Sequence, residues 1–184
     1  MDAFEQVVSE ILFIEGYWIR QSVKVELTKR EKTAIGLPSS PRWELDIVAY
    51  CGRDNSLKVV ECKSYIDSRG VAIRAFDGSD ERFGKRFKLF GNRKLRSVVF
   101  SRLRKQFVDL GRCRTNPKVK LCLACGRIAT EADRRRLRKY FATKGWELWD
   151  EHWLRERLEA LSKSGYENQV SSVVAKLLLR GKTH

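Results

Sequence analysis

The sequence lacks any apolar run long enough to cross a bilayer. Its first residues, Met1 to Glu5, are acidic where a secretory signal would be basic. Both absences argue against an integral membrane or secreted protein. We therefore expect an intracellular protein, most simply cytoplasmic, that does not bind its partners in a membrane.

Histidine and cysteine are too few for the common zinc modules. Cys122 and Cys125 have CxxC spacing, but no second such pair follows, and the only histidines are His152 and His184. The apolar run around the two cysteines is typical of a buried strand, where cysteine behaves as a small hydrophobe. We expect no zinc site, and we expect all five cysteines to be reduced.

Acidic residues are scarce in the second part of the chain. Residues 1–80 hold 11 lysines and arginines against 13 acids, whereas residues 81–184 hold 27 against 10. The net charge of +15 therefore comes from the second part, and above all from residues 85–120. Such one-sided charge favours a polyanionic partner, most simply DNA, over a basic surface that serves only solubility.

The length of 184 residues and the 42% hydrophobic content suit one globular domain with a core of ordinary size. Hydrophobic periodicity and turn residues predict a mixed α/β (α+β) fold, a central sheet flanked by helices. We predict a main domain over 1–165 and a C-terminal helix in 166–184, which either packs on the core or forms a dimer contact. The predicted helices are 3–15, 28–36 (a short turn), 92–110, 130–144, 151–161 and 166–180, and the predicted strands are 17–27, 43–50, 57–64, 118–125 and 146–150.

Two predicted strands carry the candidate chemistry. Strand side chains alternate, so Glu61 and Lys63 share one face, and Asp46 on the preceding strand is expected on the same face as Val48. A hairpin would bring Asp46, Glu61 and Lys63 together near one edge of the sheet. Two carboxylates suit a hard cation such as Mg²⁺ or Mn²⁺, and the lysine can orient a nucleophile. The simpler alternative is a solvated Glu-x-Lys pair on a half-exposed strand.

Asp46 followed by Glu61-Cys62-Lys63 resembles the signature of the PD-(D/E)xK nuclease superfamily, with Leu45 in place of the proline. The resemblance is closest to the restriction-endonuclease-like branch with Mrr-type enzymes and archaeal Holliday-junction resolvases. It implies an αβββαβ core and a metal-dependent endonuclease that hydrolyses DNA phosphodiester bonds. Asp46, Glu61 and the backbone carbonyl of Cys62 would hold the ion, and Lys63 would position or activate the attacking water.

Glu5 lies on the first predicted helix, which ends at Gly16 and Tyr17. In the resolvase-like families a glutamate on this helix precedes a glycine–aromatic pair and completes the metal site. The resemblance therefore implies a supporting metal role for Glu5, direct or through water, with Glu10 and Glu15 as weaker candidates. From the residues alone, Glu5 is equally an acid that stabilises the first turn of a helix.

Six basic residues are predicted to contact the nucleic-acid backbone. Three lie in loops beside the candidate site, and three lie on the basic amphipathic helix 92–110: Arg42, Arg69, Arg74, Lys94, Arg102 and Lys105. Two alternatives remain open for the function. One is a catalytically inactive nucleic-acid-binding module of the same fold, and the other is a nuclease for RNA or branched junctions.

Overall fold

The computed structural model describes residues 2–39, 42–165 and 168–180. Its five strands are β1 Trp18–Val25, β2 Trp43–Cys51, β3 Ser56–Lys63, β4 Lys118–Cys125 and β5 Glu147–Trp149. Its helices are α1 Ala3–Ile14, α2 Lys29–Ala34, α3 Glu81–Gly84, α4 Lys88–Gly91, α5 Arg93–Asp109, α6 Glu131–Lys144, α7 Glu151–Lys163 and α8 Val170–Leu179, with one 3-10 turn at Ile73–Ala75. Over these residues, no helix combines the length and the apolar character needed to span a membrane.

The strands form one mixed sheet in the order β1-β2-β3-β4-β5, which confirms the predicted mixed α/β class. The first two pairings are antiparallel and the last two are parallel. Pairing of β2 with β3 ends at Ile47 and Val60, whereas β3 stays paired with β4 as far as Lys63. Strands β2 and β3 therefore separate just where Asp46 and Glu61 lie.

Two apolar cores cover the two faces of the sheet. On one face, called here the α5/α6 face, Leu103 and Phe107 of α5 and Leu137 of α6 pack against β3 and β4. On the other, the α1/α7 face, Val8 of α1 and Leu154 of α7 pack against the same strands. Both layers are needed because a sheet with parallel strands is buried on its two faces.

Local signals fix the ends of the principal helices. The side chain of Asp2 accepts from the backbone of Phe4, and Glu5 reaches back to Asp2, so α1 begins with a capping box. Thr130 caps α6 by accepting from the amide of Asp133 at 3.0 Å. Gly145 ends α6 with a φ of 68°, a left-handed conformation that glycine adopts without steric cost.

The C-terminal helix α8 differs from the sequence expectation. Its small side chains, Ser171, Ser172 and Ala175, are the buried ones, and α8 packs on α7 and α1. The apolar set predicted to form one face is instead 45–78% exposed: Val170, Val173, Val174, Leu177 and Leu178. The interpretation that this set closes the core is wrong, because the side of α8 that is buried carries Ser171, Ser172 and Ala175, and of its leucines only Leu179 packs partly against that core. Residues 166, 167 and 181–184 of the predicted helix lie outside the described residues.

Candidate functional site

Asp46 lies where β1 and β2 exchange faces of the sheet. Leu45 and Val48 both pack on the α5/α6 face, although Ile47 between them packs on the opposite face. Strict alternation would put Leu45 and Ile47 on one side. The exchange occurs beside Ser22, a non-glycine residue with a φ of +48°.

This exchange turns Asp46 toward the neighbouring strand. Its Oδ2 accepts a hydrogen bond from the backbone N–H of Cys62 at 2.8 Å. Because alternation is broken between Leu45 and Ile47, the prediction that Asp46 shares the face of Val48 no longer follows from the strand period and stays a prediction. The bond ties the Asp46 carboxylate to the Glu-Cys-Lys segment across the gap between β2 and β3.

Glu61 and Lys63 share one face of β3, as predicted. Leu57 and Val59 on the same strand lie in the α5/α6 core, and Val60 and Cys62 lie in the opposite core. The Lys63 Nζ is 3.2 Å from Glu61 Oε1, and the two side chains are 26% and 15% exposed. The pair is thus partly shielded from water yet reachable from outside.

The charges at this site are unbalanced toward the negative. Burial raises the pKa of Glu61, and Asp46 raises it further, against the opposing effect of Lys63. Burial opposes ionisation of Lys63, but Glu61 and Asp46 outweigh it, so the pKa of Lys63 is raised. Two carboxylates thus share one ammonium, and an added cation would relieve the excess negative charge.

Glu5 approaches the site from the other face. Burial raises the pKa of Glu5, and the nearby Asp46 raises it further. Its observed contact, however, is the capping box, where Oε2 lies 3.5 Å from the Asp2 amide. Glu5 is therefore coupled to Asp46 through its charge, while its metal role stays a prediction.

Among the described residues, no group of three or more His, Cys, Asp or Glu side chains is arranged to hold a metal ion. The donor set that fits a hard cation is the carboxylate pair of Asp46 and Glu61. Mg²⁺ is commonly bound through one or two carboxylates, with waters and substrate phosphate filling the other positions. The Cys62 thiol is buried, and burial raises its pKa, so it is no thiolate ligand. The role of its backbone carbonyl stays a prediction.

A cavity of about 150 Å³ opens beside the carboxylates. Its charged lining residues are three carboxylates, Glu44, Asp46 and Glu61, and three cations, Lys85, Arg86 and Lys88. Sequence reasoning placed these three cations only within the basic stretch 85–120. It missed that the short helices α3 and α4 fold this part of the stretch over the ends of β2 and β3.

No known family model matches the chain, and neither a curated protein nor a solved structure resembles it significantly.

The three predicted phosphate contacts in loops are accessible. Arg69 is exposed, and Arg42 is 55% exposed with its Nη2 at 3.6 Å from a Glu26 carboxylate oxygen. Arg74 is 49% exposed and lies 4.0 Å from Asp80. Such open ion pairs are weak, so these arginines remain available to another anion.

The three predicted contacts on α5 differ from one another. Lys94 is exposed, and Lys105 is 64% exposed with a helical ion pair to Asp109 at 2.9 Å. Arg102 is 22% exposed, and its Nε and Nη2 bind the Glu31 carboxylate at 2.8–3.1 Å. The Arg102 guanidinium thus holds α2 against α5, and its predicted phosphate contact would compete with that pair.

The charge asymmetry seen in the sequence becomes an asymmetry between the two faces. Helix α5 carries six basic residues against one acid, and α6 carries six against two. On the opposite face, α1 has two glutamates and no basic residue, and α7 has three of each sign. Positive charge is therefore concentrated on the α5/α6 face, the same face on which Glu61 and Lys63 lie.

One basic residue of α6 is not part of this surface. Arg134 is 7% exposed on its side chain and binds Asp150 at 2.7 Å and Glu151 at 2.6 Å. Hydrogen bonds to Glu151, Asp150 and Glu131 raise the pKa of Arg134 despite burial. This network fixes α6 to the start of α7, so Arg134 contributes to the basic composition of α6 but not to its exposed basic surface.

Proposed function

We propose that this protein is a Mg²⁺- or Mn²⁺-dependent endonuclease that hydrolyses DNA phosphodiester bonds with a restriction-endonuclease-like core. The observation that carries the proposal is the meeting of Asp46, Glu61 and Lys63 where β2 and β3 separate, beside a cavity with a basic wall. The element order α1-β1-β2-β3-α5-β4 supports it, since it follows the αβββαβ pattern with additional short helices.

Asp46 and Glu61 would hold the cation, with Glu5 in support. When bound, the cation lowers the pKa of a water and offsets charge on the phosphoryl oxygens. Lys63 has a raised pKa in the protein alone, so it is an ammonium at neutral pH and a hydrogen-bond donor. In that state Lys63 orients the attacking water and stabilises the negative charge of the transition state, rather than removing a proton.

The test is cleavage of supercoiled plasmid with Mg²⁺, Mn²⁺ or a chelator. We expect metal-dependent nicking that falls at least about 100-fold in Asp46→Asn and in Lys63→Met, while DNA binding persists. Glu156→Gln is the matched control, because that carboxylate is 72% exposed on α7 and far from the proposed chemistry. Equal cleavage by all variants would indicate a contaminating nuclease and refute the assignment.

A non-catalytic binding module of the same fold is the second candidate. Two observations favour it: no ready-made three-ligand group in the described chain, and the engagement of Glu5 in a helix cap. Tight binding of duplex without cleavage under any metal condition would decide for this module. A panel of duplex DNA, single strands, four-way junctions and RNA separates the nuclease substrates.

A homodimer is the remaining part of the proposal. The exposed aliphatic side chains of α8 present on the order of 400 Å² of apolar surface per copy. That is close to half of the total area that the two partners of a weak specific interface bury together. Two copies of α8 would cover each other's apolar sets. Light scattering should therefore show a concentration-dependent dimer that Leu177→Glu abolishes, and a strict monomer at all concentrations would exclude it.

A further inference from the structure

The basic wall of the cavity, formed by Lys85, Arg86 and Lys88, has no carboxylate bound to it. Lys85, Arg86 and Lys88 are all exposed. Throughout the described ranges, none of the three has a carboxylate oxygen within 4.0 Å of its cationic nitrogens. Two acids of the same segment bind other arginines, Asp80 near Arg74 and Asp77 near Arg136. The three cations therefore line, without a bound carboxylate, the same cavity as Asp46 and Glu61.

The segment that carries the three cations is held by buried neighbouring side chains. Phe87 and Leu89 alternate with them in sequence and are 1% and 4% exposed. The Phe87 ring lies 4.7 Å from Phe76, and Phe90 packs edge-on against Trp146 at 5.1 Å. Because the backbone is held by these aromatic contacts, little backbone freedom is lost when the cations bind a ligand, and the entropic cost is confined to their side chains.

One cation is also oriented by an aromatic ring. The guanidinium carbon of Arg86 lies 5.4 Å from the centre of the Phe83 ring, and that of Arg74 lies 4.6 Å from it. Stacking on a ring leaves the in-plane N–H donors of a guanidinium free. Planar donors of this kind match the oxygens of a phosphate.

We propose that Lys85, Arg86 and Lys88 bind a backbone phosphate of the nucleic-acid strand, adjacent to the phosphodiester held at Asp46 and Glu61. The inference rests on the proposed nuclease function. Carboxylates repel a phosphodiester, so a substrate needs cations within one nucleotide of them in order to approach. These three residues supply that attraction, and the cavity fixes which phosphate lies beside the carboxylates.

The experiment compares two double variants that remove the same charge. Arg86→Ala/Lys88→Ala alters the wall, and Arg155→Ala/Lys163→Ala removes one exposed arginine and one exposed lysine from α7 on the opposite face. Affinity for a fluorescein-labelled 20-base-pair duplex is measured by anisotropy in chelator, over a series of salt concentrations. We expect about tenfold weaker binding and a salt slope smaller by about 1 for the wall variant only, because one phosphate contact is lost.

Equal losses in the two double variants would overturn the inference, since total charge alone would then explain binding. Circular dichroism and melting temperature verify that both are folded, and Lys85→Ala, a single exposed change, serves if the double variant is not. The assay contains no metal and needs no cleavage. A wild type that never cleaves therefore refutes the proposed function, whereas a cleaving wild type with equal losses refutes only the phosphate contact.

Discussion

Replacing Glu61 by Gln should stabilise the metal-free protein at neutral pH and remove its response to Mn²⁺. The Glu61 side chain is 15% exposed, and its pKa is raised from 4.5, first by burial and then by Asp46, even with Lys63 beside it. A carboxyl whose pKa is higher in the folded state favours folding at low pH. That contribution is lost as the pH rises through the folded-state pKa. At pH 7 the wild type therefore carries an unfavourable charge that glutamine lacks.

The magnitude follows from the pair that the substitution disrupts. The loss of a 3.2 Å ion pair with Lys63 offsets part of the gain, so we expect a net stabilisation of about 1 kcal/mol. For a chain of this length that corresponds to a rise in Tm of about 2–4 °C. In the wild type, Mn²⁺ at 100 times its Kd would add about 2.7 kcal/mol, and hence about 5–10 °C. Glu61→Gln should therefore show the rise in Tm of about 2–4 °C without metal, but not the further rise on addition of Mn²⁺.

Thermal melts followed by circular dichroism at pH 7 and pH 4, with and without MnCl2, measure both effects. At pH 4 the advantage of Glu61→Gln should vanish, because the wild-type carboxyl is then largely protonated. Glu156→Gln should match the wild type throughout. A variant that is less stable than the wild type at pH 7, or one that keeps the full Mn²⁺ shift, would show that Glu61 is neither strained nor a metal ligand.

Three further substitutions test other parts of the molecule. Lys63→Met should lower single-turnover cleavage by about 10²–10⁴-fold while changing duplex affinity less than about threefold, and a parallel loss of affinity would make Lys63 a binding residue. Arg134→Met should lower the free energy of unfolding in urea by about 2 kcal/mol, since Asp150, 2% exposed, loses its buried partner and keeps only the ion pair with Arg138, which is 58% exposed; a loss under 1 kcal/mol would contradict this. Gly126→Ala should destabilise by more than about 2 kcal/mol, because its Cβ would meet a backbone carbonyl oxygen that lies under normal contact distance, whereas Gly91→Ala meets nothing within 4 Å and should be nearly neutral.

Elements with a complete local signal could be predicted from the sequence. Strand β4 was placed correctly at 118–125 because an apolar run stands between Pro117 and Gly126. Helix α6 was expected after Thr130, whose cap is observed. The hairpin that joins β2 to β3, and the common face of Glu61 and Lys63, followed from alternation and a polar turn.

Elements that depend on distant contacts could not be predicted. Helices α3 and α4 are four residues each, too short to be stable without tertiary packing. Phe76, Phe87 and Phe90 supply that packing, and the local sequence does not predict that these rings are in contact. The position of Lys85, Arg86 and Lys88 beside the cavity could not be predicted either, because it depends on the same tertiary packing. In α8 the apolar side chains do recur with the helical period, as predicted. Which side of the helix is buried, however, depends on how it packs against the neighbouring helices.

The position of Asp46 shows why the motif alone was an incomplete guide to the site. Alternation along β2 predicts a carboxylate pointing to one face, yet both β1 and β2 exchange faces beside Ser22, whose φ is +48°. A left-handed backbone at a residue with a side chain costs roughly 1–2 kcal/mol. The packing of β1 and β2 on either side of Ser22 must offset that cost. What results is an Asp46 carboxylate that accepts a hydrogen bond from the amide of Cys62 on the neighbouring strand. Its charge raises the pKa of both Glu61 and Glu5, so the break in alternation leaves Asp46 electrostatically coupled to β3 and to α1.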